Sequence, residues 1–105
     1  VDRSLLVQSM SRIDALVRGG GTLVIGDFDP DYQQKRKYHH LPDEEVYTYK
    51  QDYTAFFKAT GLYRETAVFT FDHDKQTHGY APSEARGMCA ALRKMENEEY
   101  YVLTQ

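Results

Sequence analysis

Three groups of residues carry side chains able to do chemistry at spacings close enough to act together. The first comprises Asp27 and Asp29 with the adjacent pair His39 and His40. Two carboxylates near each other can hold a cationic or hydroxyl-bearing ligand, and histidine is the side chain best suited to exchanging a proton near neutrality. Each has a structural alternative. Asp29 precedes Pro30 and can fix a turn through its own backbone, and neighbouring histidines in extended chain point opposite ways, so at most one faces a given site. The second group is Tyr47, Tyr49 and Tyr53, whose rings join an apolar face to a polar tip and can wall a small ligand or pack at a rim. Lys50 and Asp52, interleaved with them, read as a solvated pair. The third group, His73, Asp74 and His78, is the only one with metal-ligand character. A catalytic metal needs three well-placed ligands with supporting bonds, and this stretch reads as a turn, so no metal is expected. Cys89 reads as a small core residue.

The elements that must position these groups are legible in part. From Leu5 to Val17 the apolar residues Leu6, Met10, Ile13 and Val17 recur at three- and four-residue spacing, which predicts an amphipathic helix capped by Asp2 or Ser4 and stopped near Gly19. Thr22 to Phe28 is a continuous apolar, β-branched run entered through three glycines and closed by Asp29-Pro30, the pattern of a strand buried on both faces. Helix, tight turn and buried strand favour an α/β class. Asp31 to Val46 is polar, mixed in charge and broken by Pro42, and predicts a long excursion with a helical turn. Tyr53, Phe56 and Phe57 put aromatic bulk on one face of a second helix between Asp52 and Thr60. Thr66 to Phe71 predicts a strand, Asp72 to Pro82 a turn-rich connection, and Glu99 to Gln105 has strand composition. Glu84 to Lys94 is ambiguous: its alanines favour helix, whereas Gly87 argues against one.

The whole sequence has 105 residues, 41% of them hydrophobic and 13% aromatic, enough to form one small domain or part of a larger one. A formal charge of -3 gives no net pull toward nucleic acid or an anionic membrane. No run reaches the roughly 20 apolar residues of a membrane-spanning helix, and Val1 to Val17 does not fit a signal peptide. The lone cysteine cannot form an internal disulfide. A cytoplasmic protein without nucleic-acid or membrane partners is expected.

The helix from Asp2-Arg3 to Ile13, the turn Val17-Arg18-Gly19-Gly20-Gly21 and the strand Thr22-Leu23-Val24-Ile25 together resemble the segment of class I S-adenosylmethionine-dependent methyltransferases that follows their fourth strand. The resemblance continues through Gly26 to Pro30, the Tyr38-His39-His40 triplet and Tyr47 to Tyr53, where it looks like a bacterial small-molecule branch, and it covers about residues 2 to 94. The Arg18-Gly19 pair departs from the family's usual Lys-Pro. The resemblance implies a partial Rossmann-like sheet spanning residues 1–105 as the C-terminal part of a single methyltransferase domain. Its elements would be a helix, the fifth strand, a second helix and antiparallel sixth and seventh strands, and Arg86 to Lys94 would then be the seventh strand. It places Asp27, Asp29 and the Tyr32 to His40 loop nearest a small-molecule acceptor, so that Asp27, Asp29, Tyr38, His39, His40 and Tyr49 become candidate substrate-binding residues, with no catalytic residue identified. The cofactor S-adenosylmethionine would be bound mainly by an N-terminal half, because the family's glycine-rich turn and ribose-binding acid do not occur ahead of Val1. Thr22 to Phe28 would then present an open edge, implying a homo-oligomer or a complementing N-terminal segment. The alternative reading is a non-catalytic α/β interaction module that dimerises or binds a partner through that edge.

Overall fold

The computed structural model describes residues 2–38, 40–41 and 43–105. The predicted first helix forms as a 3-10 turn, Arg3–Leu5, continuing into α1, Leu6–Leu16. Asp2 caps it as expected, its carboxylate accepting from the Ser4 amide at 2.9 Å. Gly20, at φ +80°, takes the left-handed turn into β1, Thr22–Phe28, a conformation that costs glycine little. Further along lie β2 (Gln34–Lys37), β3 (Tyr47–Lys50), α2 (Thr54–Ala59), β4 (Tyr63–Asp72), β5 (Thr77–His78) and β6 (Arg86–Lys94).

The chain is thus a small mixed α/β protein with a four-stranded antiparallel sheet, order β1-β6-β4-β5, and a separate two-stranded ribbon, β2-β3. Backbone bonds fix the directions around β6. Asp29 donates to Arg86 and Lys94 to Gly21 on one side, while His73 donates to Ala85 and Met95 to Leu62 on the other. The segment that was ambiguous between helix and strand is therefore a strand flanked on both sides. Local propensity loses because Gly87 and the alanines let neighbouring side chains close over it: a Cβ on Gly87 would lie 2.5 Å from the Phe71 ring.

Three expectations are corrected. β1 is not buried on both faces. It lies at the end of the sheet and alternates, with Leu23 and Ile25 half-buried and Val24 61% exposed. Among the described residues of the excursion from Asp31 to Val46 no helix forms, only turns in which Leu41 donates to Tyr38 and Glu44 to Leu41; Gln34–Lys37 pairs with Tyr47–Lys50, in the register Gln34↔Lys50 to Lys37↔Tyr47. No apolar alternation marks a strand of sequence QKRK, so the pairing was invisible until its partner came beside it. Glu99 to Gln105 forms no strand: Arg93 holds Glu99 and Tyr100 beside it, and Val102 and Leu103 are exposed. β-forming composition without a partner edge does not make a strand.

The contacts divide the chain into two compact units, 1–24 with 54–67 and 90–105, and 25–53 with 68–89. In the first, Phe57, Tyr63, Ala90 and Leu92 form the core, and Phe57 packs edge-on to Tyr63 at 5.3 Å. Lys94 closes the end of α1 by donating to the carbonyls of Asp14 and Val17, each at 2.9 Å, and pairing with the Asp14 carboxylate at 3.0 Å. A cation at this end offsets carbonyls that have no partner within the helix. In the second unit, Ala81, Ala85 and Met88 are buried together with two polar residues, Lys50 and Asp72.

Candidate functional site

The second unit holds an open cleft of about 600 Å³ just past the carboxyl end of β1. Phe28, the last residue of that strand, contributes one wall. The ribbon contributes another through Arg36, Thr48 and Lys50, which share one face because the register sets Arg36 opposite Thr48 and Gln34 opposite Lys50. His73 and Asp74, from the turn after β4, complete it together with Glu84, Lys37, Tyr38 and His40.

Two polar arrangements hold these walls in place. Arg86, the first residue of β6, donates through Nε to the Asp29 carbonyl at 2.7 Å and to its carboxylate at 3.2 Å, and through Nη2 to the Asp31 carboxylate at 2.6 Å. The Ser83 hydroxyl accepts from the Asp31 amide at 2.9 Å. The chain leaving β1 is thereby tied at three points before the ribbon begins. On the other side, the buried Asp72 carboxylate accepts from the amides of Asp74 at 3.0 Å and Lys75 at 2.9 Å, which sets the turn carrying His73 and Asp74.

Lys50 is the unusual member. It is 8% exposed, its ammonium lies 4.0 Å from the centre of the Phe28 ring, and it donates to the Glu84 carbonyl at 3.1 Å. Burial, and secondarily the charge of Arg36, holds the ammonium below the usual lysine range, against the opposing pull of Asp74 and Glu84. The solvated pair expected of Lys50 with Asp52 is not what forms. The alternation of β3 turns Lys50 inward, and sequence spacing alone did not say which face of that strand would be covered.

The candidate residues separate. Tyr38 and His40 line the cleft, with their rings 5.2 Å apart, and His39 lies outside the described residues. Asp29 serves in the Arg86 clamp, the structural role weighed for it, although through an ion pair. Asp27 accepts from the Phe28 amide at 2.7 Å and borders a separate hollow with Phe71 and Gly87. Tyr49 occupies the ribbon face opposite Lys50, where its carbonyl accepts from the Tyr53 hydroxyl at 2.9 Å, and the Lys35 ammonium sits 4.2 Å above the Tyr47 ring. These tyrosines do not wall the cleft. Arg36, Thr48, Lys50 and Glu84 were missed; the one available signal was that β3 alternates, so that Thr48 and Lys50 must share a face.

His73 and Asp74 meet in the cleft, whereas His78 lies against the Phe69 ring at 5.7 Å. Among the described residues, no three histidine, cysteine or carboxylate side chains gather as a metal site would. The run Gly19 to Gly21 does not fit a nucleotide cradle, because the amides of Gly20 and Gly21 are already bonded to the carbonyls of Lys94 and Arg18. No helix among the described residues is long and apolar enough to cross a membrane. Comparison with known protein families, with curated proteins and with solved structures returned no match.

Proposed function

We propose that this chain is the acceptor-side part of an S-adenosylmethionine-dependent methyltransferase acting on a small molecule. The observation that carries the reading is the position of the cleft. It opens beyond the carboxyl end of β1, where the resemblance would put the acceptor, and part of its wall comes from the Tyr38 and Tyr47 to Tyr53 segments that carry that resemblance. The antiparallel strand Arg86–Lys94 agrees with the seventh strand that the resemblance implies. Bound S-adenosylmethionine supplies an electrophilic methyl group. This chain's residues would position the acceptor: the Arg86 clamp and the Asp72 turn fix the walls, Phe28 excludes water from one side, and His40 and His73 are groups able to take a proton. Because the glycine turn is a poor cradle, the donor would be held mainly by preceding chain.

Calorimetric titration of S-adenosylhomocysteine into the longest polypeptide the gene encodes, and into residues 1–105 alone, tests this. Stoichiometric binding by the longer chain and none by the shorter is expected. Binding by neither overturns the reading, and binding by residues 1–105 alone overturns the assignment of the donor site.

A second reading, an interaction module, is favoured by one feature: β1 is the last strand on its side of the sheet and exposes Val24. It predicts a dimer by native mass, with charge introduced by Val24→Lys dissociating it.

A further inference from the structure

We propose that the cleft of the second unit binds an oxyanion, the carboxylate or phosphate of a small molecule, between the Lys50 ammonium and the Arg36 guanidinium. As an account of the acceptor this rests on the methyltransferase reading; as an anion site it does not.

A buried ammonium is costly unless a counter-charge or a full set of acceptors replaces its water. Lys50 has three N–H donors, and its contacts are one carbonyl, that of Glu84, and the face of the Phe28 ring. The ion pairs among the described residues join Lys58 to Glu65, Arg86 to Asp29 and Asp31, Arg93 to Glu99, and Lys94 to Asp14; neither Lys50 nor Arg36 takes part in one. The ribbon register nevertheless sets both cations on the same face, where the charge of Arg36 works against that of Lys50. Two like charges converging on one cleft, one of them nearly out of water, are an arrangement that an anion relieves at both ends. The Thr48 hydroxyl lies opposite Arg36 on that face and adds a donor suited to an oxyanion.

The acidic groups of the cleft bound the ligand's position. Asp74 and Glu84 favour the charged form of Lys50 without reaching ion-pair distance, so they would repel an anion approaching from their side. The oxyanion therefore sits toward Arg36 and Thr48, with the rest of the molecule lying over the Phe28 wall. The cleft, about 600 Å³, accommodates more than an inorganic ion.

Titration of inorganic phosphate and, separately, of benzoate into residues 1–105 at low ionic strength, followed by amide chemical shifts, tests the site. Saturable shifts at Lys50, Thr48 and Phe28 with one of the two probes are expected, and which probe binds more tightly separates phosphate from carboxylate recognition. Arg36→Gln, at an exposed position, should weaken binding at least tenfold with the fold intact. Lys50→Met should abolish it, and Lys50→Arg should retain part of it if the methionine variant fails to fold. Lys58→Met, in the other unit, should leave it unchanged. Absence of saturation with both probes overturns the proposal, as does equal binding by Arg36→Gln. Anion binding by a protein whose longest form ignores S-adenosylhomocysteine would keep this site and remove the methyltransferase reading.

Discussion

The two units bury different kinds of side chain. The first encloses Phe57 at 1% and Leu92 at 0% exposure, and the charges at the end of its helix α1, Asp14 with Tyr63 and Lys94, are paired with one another. The second encloses an ammonium and a carboxylate, and the carboxylate, Asp72, accepts from two backbone amides of its own turn, whereas the ammonium, Lys50, has no carboxylate at ion-pair distance among the described residues. An apolar core with paired charges is what stability alone would select. A buried cation facing a cleft without a carboxylate partner is a feature that stability would discard, and so the second unit is where a ligand is expected.

The largest test of this contrast is Phe57→Ala, which should cost about 4 kcal/mol through the cavity it leaves. Urea unfolding would measure the loss, and native-state hydrogen exchange should find it concentrated in the residues around Tyr63 and Leu92. Equal loss of protection around Lys50 and Met88 would break the distinction between the units. Next, Lys94→Met removes the cation that serves Asp14 and the end of α1, and about 2 kcal/mol should be lost, since bonds to charged groups are among the stronger ones. Asp72→Ala should cost about 1.5 kcal/mol by stranding the amides of Asp74 and Lys75, and it should also weaken any ligand bound beside His73. Asp72→Asn, which keeps an acceptor oxygen, should recover most of that stability.

The acid limb of stability sharpens the contrast further. The Tyr63 hydroxyl first, and Lys94 second, hold the Asp14 carboxyl below its ordinary value, while burial partly opposes them. A carboxyl whose folded value is depressed stabilises the protein at pH above its unfolded value, about 3.9, and this contribution disappears as pH falls through the folded value. Asp14→Asn should therefore flatten the decline in stability below about pH 4 relative to the parent chain, as measured by urea midpoints across that range. The smallest expected effect is a gain: Gln76, at φ 57° in the turn between β4 and β5, becomes less strained as Gln76→Gly, worth about 0.5 kcal/mol in the urea midpoint.

Much of the frame was legible in the residues. The three- and four-residue spacing of Leu6, Met10, Ile13 and Val17 gave the first helix, the aromatic cluster before Gly61 gave the second, and Thr22 to Phe28 and Thr66 to Phe71 fell inside strands. The candidate site was legible only in outline. The loop after β1 was recognised as its source, and Tyr38 and His40 lie in the cleft, but Asp29 was drawn into the Arg86 clamp and Tyr49 onto the far face of the ribbon.

What the sequence determined by itself is local: periodicity, the helix cap at Asp2 and the need for glycine between helix and strand depend on neighbours a few residues away. What only the tertiary structure decided is which charge meets which. The pairing of QKRK with YTYK, the turning inward of Lys50 and the capture of Asp29 and Asp31 by Arg86 join residues 10 to 57 positions apart. A charged side chain's partner and burial follow from that long-range pairing, because the same lysine is a solvated ion on one face of a strand and a desolvated one on the other.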